Sequence, residues 1–254
     1  MLFRNIVSRA LGATPLGYLP VRVRTGPAKG ARWTLGPHSN NWRHGGEGDL
    51  AAGLRFLPQP KGSVFWDFGA HFGIHTIGMA MTTGDSGQVC AFEPDPVAFR
   101  RLKYHVGINK LQNVRLFPVA VSAVAERKRL IVSHGLGTSF SHFRYEDEVE
   151  DEDTTTLEVE TVVPDELVTR GEIRAPDLIK VDVQGHGAKA LAGSTEAIRA
   201  KAPVIVFSNH SKWEMEGTRA LLDTLGYRVY ALSGELVDWD WLSTHDTAVL
   251  VRAT

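Results

Sequence analysis

From Gly62 onward, short β-branched runs alternate with stretches of helical periodicity, and that alternation restricts the chain to an open α/β sheet with helices on both faces. Residues 63–68 read as a buried strand running into Asp67-Phe68-Gly69-Ala70-His71-Phe72-Gly73, a glycine-containing turn that opens a helix to about residue 83. Residues 88–93 give a second strand. Pro94-Asp95-Pro96 then starts a helix, with Asp95 as N-cap and Pro96 at the first helical position. Further strands are expected over 114–121, 129–132, 177–183, 203–208, 227–232 and 247–252, and helices over 186–201 and 213–225, the last stopped by Gly226. The polar stretch 133–156, with its acidic run 146–153, reads as a solvated loop. The link before the final strand is too short for a crossover helix, so that strand is expected antiparallel. The whole predicts a doubly wound, mostly parallel seven-stranded sheet over residues 61–254, with residues 1–60 as a small N-terminal cap.

Charge and cysteine content narrow the function classes. The 28 Lys and Arg against 29 Asp and Glu leave a net charge of −1, without the excess that a nucleic-acid partner draws on. The one cysteine, Cys90, excludes an intrachain disulfide and a cysteine-built zinc site, which fits a reducing, cytoplasmic compartment. No apolar run approaches the roughly 20 residues of a bilayer-spanning helix. Arg4, Arg9, Arg22, Arg24, Lys29, Arg32 and Arg43 all precede the first acidic residue, Glu47. Beside them Leu2, Phe3, Ile6, Val7, Ala10 and Leu11 form an apolar stripe. This reads as a docked helix or a basic surface for an anionic substrate, with an organelle transit peptide as the alternative.

Ligands of such sheets bind beyond the carboxyl ends of the strands, where the strand order reverses. After the first strand, Asp67, Gly69 and Gly73 allow a tight turn with close backbone approach. After the second, Glu93 is spaced to accept hydrogen bonds from both hydroxyls of a ribose. Together they make a nucleoside site. The third glycine of a dinucleotide fingerprint is missing, so an amino-acid tail suits the turn better than a pyrophosphate, and a dinucleotide-dependent oxidoreductase is the weaker reading.

Several blocks in order resemble the FkbM-type S-adenosylmethionine-dependent methyltransferases. They are Gly45-Gly46-Glu47, Val64 through Gly73, Ala91-Phe92-Glu93-Pro94-Asp95-Pro96, Asn109, Asn113-Val114, Val119-Ala120-Val121-Ser122, Val163-Pro164-Asp165-Glu166-Leu167, and Leu178-Ile179-Lys180-Val181-Asp182-Val183-Gln184-Gly185. The resemblance implies a Rossmann-like class I methyltransferase with a reversed last strand, S-adenosylmethionine as cofactor, and a hydroxyl acceptor on a saccharide or other small molecule. It also implies that Asp67, Gly69, Ala70, His71 and Gly73 hold the methionine part and Glu93 the ribose. Pro94, Asp95, Val119 and Ala120 would flank the adenine, and Asp182 would face the sulfonium and the acceptor.

The chain departs from the family at three positions that usually carry acids, where it has Gln184, Gly187 and Ser208. The general base then falls to Asp182, His186 or His210, with His186 preferred because histidine titrates near neutral pH. The alternative is a binding module that keeps the cofactor and has lost turnover. A metal centre is not expected: His71 and His75 lie four apart, but no acid stands between them. Trp213, Trp239 and Trp241 are candidates for stacking on an acceptor or for plain packing. Ser139 and Ser141 lack a nucleophile-elbow pattern, and no Asn-Pro-Pro-aromatic tetrapeptide of base methylation occurs.

Overall fold

The computed structural model describes residues 20–34, 41–45, 48–133, 141–143 and 154–253. The apolar stripe of residues 2–11, the acidic run 146–153, Ser139, Gly46 and Glu47 lie outside the described residues. Strands β1 (Pro20–Arg22) and β2 (Arg32–Thr34) form an antiparallel hairpin, followed by α1 (Asn41–His44) and α2 (Asp49–Leu54). Next come β3 (Val64–Phe68), α3 (Ile74–Thr83), β4 (Gln88–Phe92), α4 (Pro96–Ile108) and β5 (Val114–Phe117). A side sheet takes β6 (Ala120–Val121), β7 (Arg127–Ser133), β8 (Ser141–Phe143) and β9 (Thr154–Val162). After α5 (Pro164–Thr169) the chain continues through β10 (Leu178–Val181), α6 (Gly187–Ala192), α7 (Thr195–Lys201), β11 (Val204–Ser208) and α8 (Lys212–Leu222). It closes with β12 (Tyr227–Tyr230), β13 (Leu236–Val237), α9 (Trp239–Leu242) and β14 (Thr247–Arg252).

The main sheet has the order β13-β12-β14-β11-β10-β3-β4-β5. Strands β11, β10, β3, β4 and β5 run parallel, and β14 is antiparallel to both of its neighbours, so the reversed final strand is found. The two-residue β13 adds an eighth strand to the expected seven, paired antiparallel with β12 in the link before β14. Strands β3, β10 and β11 are buried along their whole length, as parallel strands covered on both faces must be. On one face Trp66, Phe68, Phe92 and Phe207 form the largest core. On the other, Leu50 and Ala52 of α2 pack with Phe65, Val206 and Val249. That contact is close enough that a Cβ on Gly53 would lie 2.3 Å from Val206 Cγ2.

Three expectations are corrected. The single strand over 114–121 is two, because Pro118 lacks the N–H a ladder needs; β5 stays in the main sheet and β6 leaves to pair with β9. The helix over 186–201 breaks at Gly193-Ser194, where a Cβ on Gly193 would lie 2.1 Å from the Ser122 carbonyl oxygen. Asp165 then caps the second piece, its carboxylate accepting the N–H groups of Glu196 and Ala197 at 2.8 and 2.9 Å. Finally, residues 154–162 form a nine-residue strand where the loop was expected to reach Thr156, paired with β7 over 154–160 and with β6 at 161–162. Among the described residues no helix is long and apolar enough to cross a membrane.

Candidate active site

The strand order reverses between β3 and β10, and the two loops leaving their carboxyl ends meet there. Gly69 follows β3 with φ 79°, and a Cβ on it would fall 2.0 Å from the carbonyl oxygen of Asp182, so only glycine fits. Gly73 (φ 92°) caps α3 against Leu102, and His71 (φ 49°) holds a left-handed conformation that few side chains adopt. The turn satisfies its own amides: Gly69 and Ala70 donate to the Phe92 carbonyl, Gly73 to Ala70, and His71 to Glu93 Oε2 at 2.7 Å. Glu93 Oε1 accepts the Asp95 N–H at 2.9 Å, and Asp95 is the N-cap of α4, as expected. Burial pushes the Glu93 carboxyl up to about 8, against the opposing pull of these two N–H groups.

A buried polar network underlies the turn. Asp67 and Lys180 are register partners in neighbouring strands. Lys180 is 0% exposed, donates to Ser208 Oγ at 2.7 Å, and sits 3.5 Å from Asp49 and 3.4 Å from Asp182. Burial disfavours its charge, but the three carboxylates of Asp182, Asp49 and Asp67 outweigh that and raise its pKa. Asp49 also pairs with His75 Nε2 at 3.0 Å, and Asp182 with His210 Nε2 at 2.8 Å. Although burial works the other way, these partners hold the Asp49 and Asp182 carboxyls below the usual range. The same pairing overcomes burial to raise the pKa of both histidines. Asp67 accepts the Thr76 hydroxyl at 2.5 Å through Oδ2, while its buried Oδ1 has no hydrogen-bond partner. Burial, with Asp182 adding to it, raises the Asp67 pKa.

A cavity of about 340 Å³ opens above this network, between the cap and the turn. Of the expected residues, Gly69, Ala70, His71, Gly73 and Asp182 line it, joined by His44, Asp49 and His75. Asp67, Glu93, Pro94, Asp95, Val119 and Ala120 do not border it, though Glu93 is tied to its lining through His71. His210 stands behind Asp182, with Gln184 Nε2 at 3.5 Å from its Nε2. His186 is elsewhere: its Nε2 lies 3.0 Å from Ser122 Oγ, its ring meets the Phe143 edge, and burial, Lys189 and Lys128 push its pKa down to about 3. His71 falls in the turn and not on the helix of His75, and among the described residues no group of three or more metal-ligating side chains occurs. Trp239 is packed in the core and Trp241 stacks on His245 at 3.6 Å, whereas Trp213 is 86% exposed. Asp49, Lys180 and Glu214 were not foreseen as site residues, and Ser208 was noted only as a departure from the family's acid. Lys180 carried the one available signal, a lone cation inside an apolar strand.

A doubly wound sheet with its last strand reversed and a glycine turn between two buried carboxylates gives a Rossmann-like α/β fold, and the family match makes it a methyltransferase. Residues 67–229 match the Methyltransferase FkbM domain, and the chain belongs to that family. It is 30% identical over 190 residues to the hexuronic acid methyltransferase AglP of Haloferax volcanii, with 69% of each chain covered. Among solved structures it is similar to methyltransferase FkbM from Methylobacillus flagellatus KT, with 15% identity, a TM-score of 0.47, and coverage of 76% of this chain and 44% of that one. It is also similar to an SAM-dependent O-methyltransferase from Thermotoga maritima, with 14% identity, a TM-score of 0.45, and coverage of 81% and 65%. The chain therefore spans less than half the length of the first of these structures.

Proposed function

We propose that this methyltransferase carries the methyl group of S-adenosylmethionine to a hydroxyl oxygen of a saccharide. The observation that carries the cofactor assignment is the glycine turn Gly69–Gly73 lining the cavity beside Asp182, with Asp67 Oδ1, a buried carboxylate oxygen without a partner, at its root. When bound, S-adenosylmethionine supplies an electrophilic methyl on a sulfonium. The Gly69–Gly73 backbone would receive the methionine end, Glu93 would accept the ribose hydroxyls, and Pro94, Asp95, Val119 and Ala120 would flank the adenine. The sugar acceptor is supported by the hexuronic acid methyltransferase relative. A cytoplasmic setting fits the lone Cys90, whose thiol burial pushes up to about 12.

Asp182 and His210 form the pair we assign to the acceptor. Asp182 borders the cavity and would take the alcohol proton, and neutral His210, protonated on Nε2, donates to its Oδ1 without the added pull of an imidazolium charge. Because Asp182 raises the His210 pKa, the neutral form grows only as pH rises, and the rate should climb with pH until His210 has titrated. His186, held by Ser122, is left out of this assignment.

The test has two parts. S-adenosylmethionine should raise the melting temperature while NAD does not, since a ligand that binds only the folded state stabilises it. Labelled methyl should then appear in a sugar from a panel of neutral and acidic glycosides, and H210Q should abolish the rise of rate with pH. A shift with NAD alone would restore the oxidoreductase reading. Cofactor binding without product across the panel would make this a binding module that has lost turnover.

A further inference from the structure

Beside the cavity the cap presents cations on one aromatic plate. Arg24 and Arg43 each lay a guanidinium over the Trp42 ring, at 4.8 and 5.0 Å from its centroid. The backbone pins the two segments together: the Arg24 N–H donates to the Trp42 carbonyl at 2.9 Å, and the Thr25 hydroxyl donates to the Arg43 carbonyl at 2.6 Å. Gly45 completes the joint with φ 52°, packed so close that a Cβ would fall 2.0 Å from the Thr25 carbonyl oxygen. The neighbouring His44 and Gly45 line the cavity together with Asp182, so Arg43 is one residue from that lining and Arg24 is tied to it through Trp42.

Charge points to what this plate takes. Among the described residues neither guanidinium has a carboxylate partner. The two acids of the cavity lining cannot neutralise them, since Asp49 is paired with His75 and Lys180, and Asp182 with His210 and Lys180. The residues that precede Glu47 contain no acid at all. Stacking on Trp42 orders both forks before any ligand arrives, so little side-chain freedom is left to lose on binding.

We propose that Arg24 and Arg43, positioned by Trp42, form an acceptor subsite for the anionic group of a charged saccharide, a carboxylate or a phosphate ester. This inference rests on the methyl-transfer reading and adds to it that the acceptor carries negative charge. Guanidinium forks match both groups, with two parallel N–H donors to two oxygens.

Calorimetric titration of the full chain tests it with methyl glucuronoside, glucose 1-phosphate and the neutral methyl glucoside. At least one charged sugar should bind about tenfold or more tighter than the glucoside, and R24Q/R43Q should lose about tenfold or more of that affinity. Whichever charged sugar is preferred tells carboxylate from phosphate. W42L should weaken the charged sugar although both arginines remain, and its melting curve reports whether the cap stays folded. Equal affinity for charged and neutral sugars, no binding of either charged sugar, or an unchanged R24Q/R43Q overturns the subsite. S-adenosylmethionine is titrated in the same preparations. Protein that binds it but fails the sugar test loses the subsite alone, whereas protein that does not bind it loses the methyl-transfer reading.

Discussion

Glu214 Oε1 accepts the backbone N–H of Gly187 at 2.6 Å, and a Cβ on Gly187 would lie 2.6 Å from the same oxygen. Its Oε2 accepts the N–H of His210 at 2.8 Å, so one buried carboxylate joins the loops that follow β10 and β11. The sequence Ser211-Lys212-Trp213-Glu214 has capping-box spacing, and Ser211 Oγ does accept the Glu214 N–H at 3.1 Å. The glutamate side chain, however, leaves the box and reaches the two loops. E214A should strand two N–H groups and cost about 2–4 kcal/mol, seen as a melting temperature lower by roughly 5–10 °C. E214Q, which keeps one acceptor oxygen, should lose less. An E214A melt indistinguishable from wild type would remove the clamp from the account.

On the proposed ribose assignment, Glu93 makes cofactor affinity pH-dependent. Its carboxyl is pushed up to about 8 by burial, and the ionised form is the one that accepts two ribose hydroxyls. Affinity for S-adenosylmethionine should therefore climb between about pH 6.5 and 8.5 and then level off. The effect on folding has the opposite sign. A raised acid adds stability below its unfolded pKa near 4.5 and gives it up as pH rises through about 8. Calorimetry across that range should show a slope in wild type and none in E93Q, with E93A weaker throughout. A flat wild-type profile would separate Glu93 from the ribose.

The parts of the candidate site that a sequence pattern reveals are those at the carboxyl ends of single strands. Asp67, Gly69, Gly73 and Glu93 follow from strand ends and spacing, and Asp182 from the end of β10. The Asp49, His75, Lys180 and Ser208 contacts come from four separate segments and depend on which strands become neighbours. His186 shows the converse. Its position just after β10 suggested the acceptor side, but the break at Gly193 and the path of β6 turn it toward Ser122. The strand at 154–162 was obscured by its exposed polar residues, which fit a strand at the outer face of a side sheet as well as a loop.

His105 joins the cap to the turn and should make the fold acid-sensitive. Its Nδ1 lies 2.7 Å from the Phe72 carbonyl, its Nε2 lies 2.8 Å from the Thr34 hydroxyl, and its ring stacks on Trp33 at 3.8 Å. Burial pushes its pKa down to about 4, with Arg101 adding to the effect and the Phe72 carbonyl opposing it. A histidine depressed in the folded state contributes stability above its unfolded pKa near 6.5 and loses it as pH falls toward about 4. The loss should reach roughly 2–3 kcal/mol in chemical denaturation. His186, pushed down to about 3, acts in the same direction, so H105Q should flatten part of the slope and H105Q/H186Q more of it. A wild-type stability that does not change from pH 7 to 4 would contradict both placements.

Lys180 is the charge on which the cap and the β10 side of the cavity both depend, because its ammonium lies between Asp49 of α2 and Asp182 at the end of β10. K180M would keep the volume and leave these carboxylates, with Asp67, facing one another in a buried space. Breaking a buried pair from one side costs about 3–5 kcal/mol, since the remaining charge is uncompensated. Removing a facing carboxylate as well should recover part of the loss, so D49N/K180M should be more stable than the sum of the single variants by about 1–3 kcal/mol. Denaturant unfolding of the four proteins measures this coupling directly. Additive single losses would mean that Asp49 and Lys180 act independently, and the cap would then be held to the site by its other contacts, among them the packing of Leu50 and Ala52 and the Thr34–His105 bond.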